Sequence, residues 1–282
     1  MEKESPNKFF TDFQEYLLKE HRYSMDKLNP TQNFWWYHPL KQDKVFREIG
    51  YHSYHEHYAK RFQSLRKDVK KILEIGVFRG HSMLMWEKYF PNAQIYGVDI
   101  DYSPHNFGVN AKELCKDKER IHLFEMDACN LENVESLMKI IGEDVDIIID
   151  DGSHHPMHQL ISLVGYTDYL KPNGYFVVED VFMHNMFDRS FLDYFDEPYK
   201  LFRRDKFFFD EIIENKFFPF RTNNFTHWEG ATFKSILKDW DIEICPPKDY
   251  VINFKDINLK GESKQKHYNN RQGIIFFKKP NE

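Results

Sequence analysis

Cysteine is scarce: Cys115, Cys129 and Cys245 are the only three in 282 residues, far apart and without a CxxC pair. That spacing indicates neither a zinc ribbon nor a disulfide framework and suits a reducing compartment. A basic excess is also missing, with 39 Lys and Arg against 45 Asp and Glu and a formal charge of −6. Such a balance gives no electrostatic footprint for nucleic acid, and the local patch RRDK at 203–206 reads as solvated surface. No stretch approaches the roughly 18 apolar residues of a membrane span. The opening residues MEKESPNKFF lack the apolar core of a signal peptide, so a cytoplasmic protein with no membrane partner is expected. The dinucleotide fingerprint GxGxxG is absent, which leaves a pyrophosphate without its usual cradle and counts against a nicotinamide cofactor.

The chain has what a globular protein needs, with hydrophobic residues making up 41% of it. Its length allows a sizeable core, and 17% of its residues are aromatic, more than a core alone requires, so some rings suit a binding surface. We divide it into an N-terminal extension, 1–66, a central core, 67–182, and a C-terminal part, 183–282. The extension is polar and aromatic, with helix expected at 10–20. The string NFWWY at 33–37, bracketed by Pro30 and Pro39, suits packing on the main domain or on a second subunit. Tyr54, Tyr58 and Phe62 recur at helical spacing in 51–67, which fits an aromatic face on the core or, more sharply, tyrosines over a ligand.

From residue 71 the pattern alternates. Strands are expected at 71–77, 94–99, 121–126, 145–150 and 174–179, with helices at 80–90, 111–118, 131–141 and 156–170. Pro156 falls in the first turn of the last helix, where its missing N–H matters little. Such alternation predicts a parallel sheet with helices on both faces, whose ligands bind beyond the carboxyl ends of the strands. Segment 183–228 reads as an aromatic helical insertion, a lid over an acceptor or a dimer contact, and 231–239 as a further helix. Final strands are expected at 273–278 and at either 250–254 or 240–245.

The unusual residues gather at the strand ends. LEIGVFRG at 73–80 runs from strand into a turn with glycines four apart, and glycine lets a backbone approach a ligand closely. Asp99 ends the second strand, where a carboxylate can accept both hydroxyls of a ribose. Asp127 and Ala128 follow the third, where an acid can accept from an adenine amino group. The fourth strand runs into DDGSHH at 150–155 and the fifth into Glu179 and Asp180. Neighbouring strands lie ~4.8 Å apart, so Asp150, Asp151, Glu179 and Asp180 converge and repel unless a cation joins them. All-oxygen ligation favours a hard ion, Mg²⁺ first, with Mn²⁺ or Ca²⁺ as alternatives. His154 and His158 have HxxxH spacing, but Pro156 interrupts a continuous helix and no further zinc ligand is evident. A histidine beside an activated hydroxyl is better read as a general base.

The pattern ExGxxxG at 74–80, the acid Asp99 and the pair Asp127–Ala128 together resemble the class I S-adenosylmethionine-dependent methyltransferases. DDGSHH, VVED at 177–180 and HSYHEHY at 52–58 are similar to stretches of the metal-dependent sugar O-methyltransferases of macrolide-antibiotic and bacterial surface-polysaccharide pathways. The resemblance implies an α/β, Rossmann-like, seven-stranded sheet, mostly parallel with its last strand antiparallel, here with an extension before it and an insertion after strand five. It implies that Glu74, Gly76 and Gly80 face the methionine part of S-adenosylmethionine, Asp99 the ribose and Asp127 with Ala128 the adenine. It also brings Tyr54 and Tyr58 to the cofactor and Asp150 to the strand end beside it. Asp151, Glu179 and Asp180 become the metal ligands and His154 the base. The expected activity is Mg²⁺-dependent methylation of a sugar hydroxyl. A catechol-type methyltransferase and a non-catalytic cofactor-binding protein are the alternatives.

Overall fold

The computed structural model describes residues 54–103, 110–154, 156–182, 239–245 and 272–281. The expectations for helix at 10–20 and 231–238, for the aromatic string 33–37, for the insertion 183–228, for a strand at 250–254 and for His155 lie outside the described residues.

Chain order is α1 (His55–Phe62), β1 (Lys71–Ile75), α2 (His81–Tyr89), β2 (Gln94–Asp99), α3 (Ala111–Cys115), β3 (Ile121–Glu125), α4 (Leu131–Ile141), β4 (Val145–Asp150), α5 (Pro156–Thr167), β5 (Leu170–Phe182), β6 (Asp241–Cys245) and β7 (Gln272–Lys278). The seven strands form one sheet in the order β3-β2-β1-β4-β5-β7-β6. β1 to β5 pair in parallel with one another, and β7 is antiparallel to both β5 and β6. Among the described residues the sixth strand is 241–245, one of the two alternatives; the other lies outside them. Among the same residues, no helix is long and apolar enough to cross a membrane.

Local chemistry sets these elements. All six residues of β4 are buried, as expected of a parallel strand covered on both faces. Asn130 caps α4 by accepting from the N–H groups of Glu132 and Asn133, and Gly142 ends it. α5 stops at Thr167, three residues short of the expected end, because Leu170 already pairs with Val145. The register then shifts through Lys171, Pro172, Asn173 and Gly174, and pairing resumes at Tyr175 opposite Ile147.

The pleat divides the core. Ile72, Ile95, Ile147, Ile149, Val177 and Phe276 face α1, α2 and α3, where Tyr58, Phe62, Trp86, Tyr89 and Phe90 make an aromatic layer. Centroid separations of 4.7–6.5 Å and mostly edge-on or tilted rings add to its hydrophobic burial. Leu73, Ile148, Phe176, Val178 and Phe277 face α4 and α5. The strand order turns back at β1 and β4, and the crevice beyond their carboxyl ends is the expected place for a ligand.

Candidate active site

The turn after β1 is fixed by its own chain. Gly76, at φ +85°, donates its N–H to Val98 O at 2.8 Å. A Cβ on Gly76 would collide with the carbonyl of Asp151 and lie 2.6 Å from Gly152 Cα. The close approach that this glycine permits is thus to the DDG backbone, whose Asp151 N–H donates to Ile75 O at 2.8 Å. Gly80, at φ +82°, starts α2, and a Cβ there would meet Ala111 Cβ at 3.0 Å, so it serves the packing of α3. Asp99 ties the turn to β2: its Oδ2 accepts from the N–H groups of Val77 and Phe78 at 2.8 Å each, and its Oδ1 from Ile100 N–H. Glu74 is fully buried, with Trp86 Nε1 donating to its Oε2 at 3.0 Å. Asp127 is exposed and accepts from Cys129 N–H, while the carbonyl of buried Ala128 accepts from the Tyr166 hydroxyl at 3.2 Å.

The acids meet where β4 and β5 end. Asp150 is buried and accepts from the Ser162 hydroxyl and, at 3.1 Å, from Gly152 N–H. Burial raises its pKa, and the two hydrogen bonds oppose the rise. One donor atom from each of Asp151, His154 and Asp180 lies within 4.8 Å of the other two. His154 takes φ +57° and sets Nε2 3.5 Å from Asp180 Oδ2. Its Nδ1 is buried and has no hydrogen-bond partner among the described residues, so no such bond selects one tautomer. His158 stands apart, with Nδ1 2.7 Å from Ser153 Oγ.

Glu179 and Asp180 owe their joint position to a β-bulge. Val178 pairs with Ile275 and Val181 with Gly273, so β5 spends three steps where β7 spends two. Val178 and Val181 consequently face the same core although they are three apart. The added residue lets neighbours that would otherwise alternate reach one side of the sheet. Asp180 takes φ +53° there. The Tyr58 hydroxyl donates to Glu179 Oε1, and the Tyr54 hydroxyl donates to Asp180 Oδ1 at 2.8 Å. Burial, with the negative charge of these acids, holds both phenols well above the ordinary tyrosine range, so the hydroxyls stay protonated donors.

The structure therefore brings together Asp151, His154 and Asp180, with Glu179 beside them in Tyr58's hydrogen bond, and sets Gly76 against the same loop. Both tyrosines are packed in the core and present their hydroxyls to the second acid pair. Neither their two acid partners nor the holding role of Gln159, whose Nε2 donates to Glu179 O at 2.9 Å, was expected from sequence. The available signal was spacing: YxxxY offers two hydroxyls on one helix face, and Gln159 and Ser162 lie three apart on another.

Ligands at ~2.1 Å from an octahedral Mg²⁺ are about 3 Å apart when cis and about 4 Å when trans. The donor atoms of Asp151, His154 and Asp180 lie within 4.8 Å of one another, a spread wider than the cis spacing, and Glu179 is not among them. Two carboxylates and an imidazole nitrogen are donor types that a divalent cation takes.

Residues 73–181 match the family described as a methyltransferase domain. Over 137 residues the chain is 32% identical to mycinamicin VI 2''-O-methyltransferase of Micromonospora griseorubida, covering 46% of this chain and 32% of that protein. Over 140 residues it is 33% identical to 8-demethyl-8-alpha-L-rhamnosyl tetracenomycin-C 2'-O-methyltransferase of Streptomyces olivaceus, covering 47% and 34%. The chain thus spans about a third of the length of the curated relatives it matches. Its fold is similar to that of MycE methyltransferase from the mycinamycin biosynthetic pathway, solved in complex with Mg, SAH and mycinamycin VI. That likeness has a TM-score of 0.51 and 22% identity, over 81% of this chain and 50% of the other. Residues 73–181, which hold the glycine turn, Asp99, Asp127, both acid pairs and His154, are the stretch that matches the methyltransferase-domain family.

Proposed function

We propose that this chain transfers a methyl group from S-adenosylmethionine to a sugar hydroxyl and that the transfer depends on a divalent cation, Mg²⁺ first. The observation that carries the reading is the meeting of Asp151, His154 and Asp180 beside the glycine turn of a methyltransferase domain. Both relatives named above are O-methyltransferases, and the rhamnosyl group in the second one's name supports a sugar-bearing acceptor.

Asp151 and Asp180 would hold the cation on this reading, joined by Glu179 through the carboxylate that Tyr58 fixes. A cation bound there supplies Lewis acidity to the acceptor's oxygens and lowers the pKa of the hydroxyl to be methylated. His154 takes that hydroxyl's proton at a ring nitrogen. The turn at 76–80, Asp99, and Asp127 with Ala128 hold the methyl donor, whose sulfonium supplies the leaving group. Positioning two reactants in one crevice then carries much of the acceleration. Residues 67–182 form the catalytic core of this scheme, in a cytoplasmic enzyme.

The test is a methyl-transfer screen against nucleotide-linked sugars, glycosylated natural products and a catechol, each with Mg²⁺ and with chelator. Turnover of a sugar acceptor that disappears on chelation is expected. Undiminished turnover in chelator would remove the cation from the scheme. Turnover of the catechol alone would replace the acceptor class.

A further inference from the structure

The two tyrosines of α1 carry an inference that deepens the proposed divalent site and rests on it. They are the residues on which the bulged end of β5 is hung. Tyr54 lies just before the first residue of α1 and Tyr58 one turn later, so their rings share a helix face. Their hydroxyls reach consecutive residues of β5, a pairing that an unbulged strand cannot offer because neighbours alternate across the sheet.

The contact at Tyr54 is a clamp on one residue. Its hydroxyl donates to Asp180 Oδ1 at 2.8 Å and accepts from the N–H of the same Asp180 at 3.3 Å. It also lies 3.2 Å from Gly273 O, on the β7 residue that pairs with Val181. One phenol oxygen thus fixes both the backbone and the carboxylate of a residue held at φ +53°, a conformation uncommon for any residue but glycine, asparagine or aspartate. Tyr58 does the simpler half of this task at Glu179 Oε1. Both rings are at most 2% exposed, and Tyr58 packs edge-on to Trp86 and Phe276 with centroids 5.0 and 5.6 Å away, so the hydroxyls are rigidly placed.

The choice of donor matters. A lysine or arginine in either place would orient a carboxylate and also neutralise it. A phenol orients it and leaves its negative charge in the crevice. We propose that Tyr54 and Tyr58 are positioning residues of the divalent site: their hydroxyls hold Asp180 and Glu179 toward Asp151 without competing with the cation for charge.

The experiment is a Mn²⁺ titration of the full chain, with free Mn²⁺ read by electron paramagnetic resonance, for the native protein, Tyr54→Phe, Tyr58→Phe and the double variant. Metal-free melting temperature and near-ultraviolet circular dichroism are recorded in chelator for each. Each single variant is expected to bind Mn²⁺ ~10–100-fold more weakly and to keep the native spectrum. A merely structural role moves the metal-free melting temperature and leaves the dissociation constant in place, and that result overturns the proposal. If Tyr58→Phe loses its spectrum, Tyr54→Phe decides alone, because its ring stands at the start of the helix. A native chain that takes up no Mn²⁺ overturns the divalent site and the proposal together. Native binding with unchanged affinity in the variants overturns only the proposal.

Discussion

β4 carries a buried aspartate at each end, and the two are met differently. Asp146, near the amino end, is 4% exposed and forms an ion pair with Lys171. It also accepts from the N–H groups of Lys70 and Lys71 at 2.7 and 2.9 Å. Asp150, at the carboxyl end, is 3% exposed and is held by a serine hydroxyl and a backbone N–H. Just beyond it, Glu179 and Asp180 are held by tyrosine hydroxyls. Burial is similar at the two ends, but at the amino end a lysine pairs with the charge, whereas at the carboxyl end hydroxyls and a backbone N–H orient the carboxylates and His154 Nε2 stands 3.5 Å from Asp180. Carboxylates gathered and oriented in a crevice mark a candidate functional site.

His154 is the sharpest place to break that contrast. His154→Ala should lower the kcat of methyl transfer by ~10²–10⁴-fold, the usual worth of a general base, while leaving Mn²⁺ affinity near native. A comparable loss of Mn²⁺ affinity would make His154 a ligand, as its position among the donor atoms also allows. The amino end should fail in the opposite manner. Asp146→Ala removes the partner of Lys171 and of two backbone donors, and should destabilise the fold by on the order of 3 kcal/mol in urea unfolding with Mn²⁺ affinity unchanged.

Asp150→Asn should have the smallest effect and the more telling sign. Burial raises the folded-state pKa of Asp150 above its unfolded value. Its favourable contribution is therefore complete below the unfolded value and is lost as pH rises through the folded one. Asparagine keeps the shape and does not ionise. The variant should be slightly more stable than the native chain at neutral pH, by less than the loss at Asp146, and the gain should vanish on acidification below the ordinary carboxylate range. Urea midpoints at pH 7 and pH 3.5 read the difference. A variant less stable at neutral pH would mean that the Ser162 and Gly152 bonds outweigh the desolvation.

What the sequence could reveal follows the range of the forces involved. β2, β4 and α4 have the expected limits because their signals are local: apolar runs, an Asn130 cap, a Gly142 stop. The expected strand from residue 174 matches the point where β5 resumes pairing at Tyr175, but Leu170 joins the sheet through a partner, Val145, that lies 25 residues earlier in the chain. That β4 and β5 end side by side was legible from the alternation of elements, and it brings Asp151 near Asp180. The bulge was not, since nothing local in Val-Val-Glu-Asp-Val distinguishes an extra residue from ordinary alternation; it exists only against β7. Glu74 and Asp99 were read toward a ligand. Their other contacts, with Trp86 Nε1 and with the turn's N–H groups, depend on how α2 and β2 close on β1.

Gly76 has a consequence for inheritance. Its missing side chain is the space that the Asp151–Gly152 peptide fills, and its φ is one that side chains disfavour. Every missense change at that codon installs a Cβ, so each would push on the loop that bears Asp151, whatever the character of the new residue. Position 76 is closed to gradual change, and neighbouring codons must accommodate any drift in this part of the gene.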